Sequence, residues 1–203
     1  MRVTGGILRG LHIDVPPATY QVRPAQDKVR SALFSSIGPY IPGCKFLDLF
    51  AGTGSVGIEA WSRGASLVCW VENNPRVAKV LQKNVLTLCQ NRNSSHGEII
   101  IQIEDALTFL QKKLVNFQFN VIFAGPPYVT KRKPAQPVQW TEILPEAVAQ
   151  SKMLAPGGLF ILETGISHHV ENNEIENKSE DFLKKIKVKI YGGTILTFYT
   201  TKD

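Results

Sequence analysis

Residues 46–57, Phe46-Leu-Asp-Leu-Phe-Ala-Gly-Thr-Gly-Ser-Val-Gly57, decide the fold. The apolar run Phe46 to Phe50, broken only by Asp48, predicts a strand buried on both faces. A glycine-rich turn follows, and Ser55 to Arg63 carries the pattern of a helix. Gly52-Thr53-Gly54-Ser55-Val56-Gly57 fits G-x-G-x-x-G, and Glu72 lies 20 residues beyond Gly52. By spacing alone this is a nicotinamide-dinucleotide fingerprint, in which glycines allow a tight turn and a close approach of ligand to backbone.

Outward from this turn the chain alternates between strand and helix. Strands are predicted at Lys45–Phe50, Leu67–Val71, Glu98–Ile103, Phe119–Ala124 and Leu159–Glu163. Helices are predicted at Asp27–Ile37, Ser55–Arg63, Pro75–Gln90, Ala106–Leu114 and Thr141–Ser151, with Pro75 suited to a first turn. Such alternation implies a parallel sheet covered on both faces, with right-handed crossovers. The end differs: Ile186–Tyr191 and Thr194–Thr201 flank Gly192-Gly193, the signature of an antiparallel hairpin. The start predicts a second, smaller hairpin, Met1–Thr4 and Leu11–Val15, closed by Pro16-Pro17. We therefore expect a Rossmann-like α/β chain with a mostly parallel seven-stranded sheet. Residues 1–20 would form a hairpin extension and 21–203 the main domain.

Composition sets bounds. Lys plus Arg number 23 and Asp plus Glu 17, a net charge of +6 that fits a nucleic-acid partner without requiring one. Cys44, Cys69 and Cys89 are odd in number and form no C-x-x-C pair, which argues against a zinc site or a disulfide framework. No apolar stretch approaches a membrane span or a secretory leader, so a cytoplasmic protein is expected. His168-His169 have no ligand partners at metal-binding spacing and read as loop residues; no metal is expected.

Asp48 separates the two readings of the turn. An acid four residues before Gly52 suits the cationic amino group of a methionine moiety and is a poor neighbour for a pyrophosphate. Glu72, followed by Asn73, ends the second strand, where its two oxygens can take ribose hydroxyls. Asp105 and Ala106 follow the third strand, with Asp105 placed to accept an adenine amino group. Phe50, Gly52 and Gly54 would border the same ligand. The donor set points to S-adenosylmethionine; incidental acids at three strand ends are the competing reading.

These residues resemble the class I S-adenosylmethionine methyltransferases. Arg2-Val-Thr-Gly-Gly-Ile-Leu-Arg-Gly10, Val22-Arg-Pro-Ala-Gln-Asp-Lys-Val-Arg-Ser-Ala-Leu-Phe34 and Leu47 to Ala60 further resemble the RsmD-type enzymes. That family methylates guanine N2 in bacterial small-subunit ribosomal RNA. The middle stretch carries most weight, because generic methyltransferases lack it; Ala25 stands where the family commonly has Thr. The resemblance places Arg23, Pro24 and Asp27 near the methionine end of the cofactor, although Asp27 also suits a helix cap. It implies small-subunit rRNA, within an assembling 30S particle, as partner, and a monomeric enzyme.

Gly125-Pro126-Pro127-Tyr128 follows the fourth strand. Amino-group methyltransferases carry Asp or Asn before the two prolines. That side chain and a proline carbonyl accept the amine's hydrogens and aim its lone pair, while the aromatic ring stacks on the base. Here Gly125 offers no side-chain acceptor. Substitution by a nearby carboxylate, Asp105 or Glu163, and a nearly inactive RNA-binding protein are both open. An N6-adenine DNA methyltransferase is a further alternative, with little room for DNA recognition. Lys131, Arg132 and Lys133 beside the loop, with Arg2, Arg9 and Arg30, are candidate RNA contacts. Arg30 has a second option in pairing with Asp27. Lys184, Lys185, Lys187 and Lys189 read as the exposed dressing of a helix end and the strand after it.

Overall fold

The computed structural model describes residues 1–17, 27–90, 97–112, 117–127, 139–166 and 183–202. Its strands are β1 Lys45–Leu49, β2 Leu67–Val71, β3 Glu98–Gln102, β4 Phe119–Ala124, β5 Leu154–Gly165, β6 Lys184–Tyr191 and β7 Thr194–Thr200. The helices are α1 Asp27–Ile37, α2 Ser55–Ser62, α3 Pro75–Val85, α4 Ala106–Gln111 and α5 Trp140–Ser151. The strands form one sheet in the order β3-β2-β1-β4-β5-β7-β6. The first five pair in parallel, and β7 runs antiparallel to both β5 and β6. This is the mostly parallel seven-stranded sheet with an antiparallel terminal hairpin that the pattern predicts.

The apolar runs of β1 and β2 are buried on both faces because helices cover both sides of the sheet. One core contains Phe46, Trp70, Val121 and Ile161 with residues of α1 and α2; the other contains Leu47, Cys69, Ile122 and Phe160 with residues of α4 and α5. Among the described residues no helix is long and apolar enough to cross a membrane.

The N-terminal hairpin departs from expectation. Instead of two strands it contains a single antiparallel bridge, Arg2 to His12, supported by Val3 N to Leu11 O and Ile13 N to Met1 O. The polar groups at its tip turn to the end of α2. Ile7 N donates to the Ser62 carbonyl, Leu8 N to Ser62 Oγ, and Ser62 Oγ to the Gly5 carbonyl. Val3, Leu8 and Ile13 are buried in the core shared with α1 and α2. The largest boundary shifts are in three elements. The helix expected to reach Gln90 ends its α geometry at Val85 and continues as a π turn, Leu86–Gln90. Helix α4 ends at Gln111. Strand β5 is longer than predicted at both ends, because Leu154 pairs with Phe119 and Gly165 with Thr194.

Candidate active site

Parallel strands bring their C-terminal ends to one edge, where an open α/β sheet binds ligands. In register, Leu49 of β1 pairs with Val71 of β2 on one side and Ala124 of β4 on the other, and Ala124 pairs with Leu162 of β5. The glycine-rich turn, Glu72 and Gly125 therefore leave the sheet at one level, with Glu163 beside them in β5, which continues to Gly165. Gly125 N donates to the Leu49 carbonyl at 3.4 Å, tying the proline loop to the turn.

The turn is held from below. Phe50 has φ 62°, an uncommon value for a non-glycine residue, and its ring meets Trp140 edge-on at 5.2 Å. Glu72, 8% exposed, accepts from Gly52 N at 2.9 Å and Asn74 N at 2.8 Å. Each oxygen thus engages a backbone donor and keeps lone-pair capacity for a ligand hydroxyl. Asn73 between them is exposed. Gly54 has φ 81°, and a Cβ there would stand 2.3 Å from Leu81 Cδ1; one on Gly57 would stand 2.2 Å from Trp70 Nε1. These two glycines let α2 settle on Trp70, so they are required by packing beneath the turn as well as by any ligand above it.

Asp48 is 1% exposed and accepts from Gly57 N at 2.9 Å. Helix α2 begins after Gly54, which has no side chain to cap it. Asp48 reaches up from the strand to satisfy one of the unpaired donors of the first turn. Burial pushes its carboxyl well above the usual range; the Glu72 and Glu163 charges push the same way, against the Gly57 hydrogen bond. A helix start occupied by a buried acid, with two more carboxylates nearby, repels a pyrophosphate and favours a cation. A ligand bearing a sulfonium and an ammonium fits this donor set; a dinucleotide does not.

The third acid sits further out. Asp105 is exposed and caps α4, its Oδ1 accepting from Leu107 N and Thr108 N at 2.9 and 3.0 Å. Ala106 beside it is buried. In the proline loop, Gly125 is half-buried, Pro126 buried and Pro127 exposed. Tyr128, Arg23, Pro24, Lys131, Arg132, Lys133 and the pair His168-His169 lie outside the described residues.

The basic candidates divide. Arg2 and Arg9 are exposed, and Arg2 Nη1 donates to the Gly10 carbonyl at 2.7 Å. Arg30 is a correction: it is fully buried. Its guanidinium meets Glu59 Oε2 at 3.3 Å, Asp27 Oδ1 at 3.0 Å and the Arg2 carbonyl. A side chain committed to three internal acceptors is unavailable to RNA, and the Asp27 alternative is the one found. Sequence reasoning missed Glu59, which also binds Thr4 and Arg63. Its signal was an acid in the middle of a helix that is otherwise apolar or small, Ser55 to Ser62. Trp70, which packs beneath the turn, was likewise hidden inside a uniformly apolar strand.

A family model described as conserved hypothetical protein 95 matches residues 1–200. A curated relative, ribosomal RNA small subunit methyltransferase D of Haemophilus influenzae, is 38% identical over 128 residues, covering 63% of this chain and 64% of its own length. Its Escherichia coli K12 namesake is 34% identical, covering 63% and 60%. The chain thus spans just under two thirds of these relatives. Among solved structures, a hypothetical protein of Thermus thermophilus has a TM-score of 0.73 at 27% identity, covering 99% of each chain. The 16S rRNA N2 G1207 methyltransferase of the same organism, solved with AdoMet and guanosine, has a TM-score of 0.66 at 21% identity, covering 89% of this chain and 44% of that one. This last likeness is one of fold. With the match running from Met1 to Thr200, and with its own sheet order and its likeness to methyltransferase structures, the chain belongs to the conserved hypothetical protein 95 family and has the class I methyltransferase fold.

Proposed function

We propose that this protein binds S-adenosylmethionine and transfers its methyl group to the exocyclic N2 amine of a guanine in small-subunit ribosomal RNA. The observation that carries the reading is the adjacency of two sites. A cation-favouring turn at the end of β1 is joined to the proline loop at the end of β4 through Gly125 N and the Leu49 carbonyl. Bound there, the cofactor supplies an electrophilic methyl on a sulfonium. The protein's own part is to hold the base and direct its amine. Asp48 supports the turn and its charge, Glu72 suits the ribose, and Asp105 suits the adenine. Pro126, Pro127 and Tyr128 would hold the base, with Arg23 and Pro24 over the methionine end. Arg2, Arg9, Lys131, Arg132 and Lys133 are the proposed phosphate contacts. The names of the curated relatives support small-subunit rRNA as the substrate class.

Two measurements test this. Calorimetry with S-adenosylmethionine should give saturable binding; no heat at high micromolar ligand would exclude the cofactor. Labelled methyl transfer should then be followed on immature small subunits and on free small-subunit rRNA, with nucleoside digestion. The expected product is N2-methylguanosine, and N6-methyladenosine would redirect the assignment. Gly125 motivates a second reading, an RNA-binding protein that retains the cofactor pocket without turnover; binding without transfer to either substrate would favour it.

A further inference from the structure

An exocyclic amine attached to an aromatic ring is a weak nucleophile because its lone pair is delocalised. Directing that pair at a methyl group requires acceptors for the two N–H bonds. When the nitrogen pair forms the new N–C bond, the C–S pair leaves with sulfur as a neutral thioether. The nitrogen then carries a positive charge and must release one proton. Residue 125 has no side chain for either task. Its backbone, however, marks where one would project: a Cβ built on Gly125 would stand 3.9 Å from Glu163 Oε2 and 3.3 Å from the Phe123 ring. The Phe123 contact is tight, and the Glu163 carboxylate lies within the reach of a short acid. Register explains the proximity. Ala124 pairs with Leu162, so Gly125, just past the end of β4, comes to lie beside Glu163, which β7 still holds within β5.

The other acids of the site are placed for different work. Asp48 is buried beneath the turn on Gly57 N, Glu72 binds the turn's backbone, and Asp105 follows β3, three positions from β4 in the sheet. Glu163 is half-buried, which leaves its carboxylate a route for a proton to reach solvent. We propose that Glu163 accepts a hydrogen of the target amine, takes up the released proton and passes it to water, in place of an acid at position 125. This rests on the methyltransferase reading above.

The test compares wild type with Glu163→Ala, Glu163→Gln and the double variant Glu163→Ala/Gly125→Asp. It measures kcat, its pH profile, calorimetric affinity for S-adenosylmethionine, and Tm. Glu163→Ala should lower kcat by about 10²–10³, the loss typical of one positioned group, a fall well beyond any loss of cofactor affinity from the missing charge. Glu163→Gln keeps an acceptor oxygen but cannot take the proton, so its kcat should fall less and lose the acid limb of the pH profile. Gly125→Asp in the Glu163→Ala background should restore most of the loss by offering a carboxylate from the neighbouring strand. Wild-type kcat in Glu163→Ala overturns the role of Glu163 alone. So does a fall matched by lost cofactor affinity with no recovery in the double variant. If Glu163→Ala fails to fold, an unaltered rate and pH profile in the near-isosteric Glu163→Gln overturn it. A wild type that transfers no methyl group to subunit or rRNA overturns the methyltransferase reading and this role with it.

Discussion

Asp48, proposed above to support the cofactor turn, burdens the protein that carries it. Its side chain is buried, and its folded pKa lies well above that of the unfolded chain. For such a group the contribution to stability is complete below the unfolded value near 3.8 and is lost as pH rises through the folded one. At neutral pH the ligand-free protein therefore bears the cost of ionising Asp48 or of keeping it protonated. Asp48→Asn retains an oxygen for Gly57 N and removes the charge. Its ligand-free Tm should exceed wild type by about 2–4 °C for each kcal/mol regained, with a flatter decline as pH rises. Its affinity for S-adenosylmethionine should fall. Thermal denaturation across pH, with and without cofactor, checks both halves; a wild-type slope in the variant would show that Asp48 titrates normally. The acid was legible in the sequence from its spacing to the glycines. Its hydrogen bond to Gly57 was not, because which donor a strand-end carboxylate meets depends on how the following helix settles.

At the scale of elements, a buried ion pair joins three of them. Arg30 of α1 and Glu59 of α2 are both fully buried, and Glu59 also holds Thr4 of the N-terminal hairpin through its backbone N–H and hydroxyl. Among the described residues, removing Glu59 leaves the buried Arg30 with only the exposed Asp27 as counter-charge. Glu59→Ala should cost about 3–5 kcal/mol in denaturant unfolding, while replacing Arg30 and Glu59 together by Met and Leu should recover much of that. An equal loss in the single and double variants would contradict the assignment. The same pair shows where sequence reading falls short. Arg30 looks like a surface cation because charge usually means solvent, and the acid that buries it is 29 positions away. Strands β1, β2 and β4 were legible because runs of apolar residues between turn signals admit few alternatives. The hairpin at residues 1–17 was legible as a reversal, but its pairing narrows to one bridge, and its tip turns Ile7 N and Leu8 N to Ser62 as well as bonding across the turn.

Over the whole molecule, the two cores leave nothing for thiol chemistry. Cys44, Cys69 and Cys89 are all buried and unpaired with one another, and burial pushes each thiol up to about 12. An aromatic disulfide reagent at neutral pH should find no reactive thiol in the native protein and three after unfolding; rapid reaction of any one would show its core open. The sheet order was legible in outline from the alternation and the final hairpin. The position of β7 between β5 and β6 was not, because hairpin signals fix which strands join and say nothing of which one faces the sheet. That position matters for how the chain is made. β5 runs antiparallel to β7 from Leu159 with Thr200 to Gly165 with Thr194. On a translating ribosome, the strand that carries Glu163 would wait with an open, apolar edge until residues 194–200 emerge and close it. The acid beside the proline loop would thus be fixed in place only after β7 has emerged and paired. Until then a nascent chain would hold an incomplete site, and prompt pairing with β7 would protect that edge from pairing with another chain.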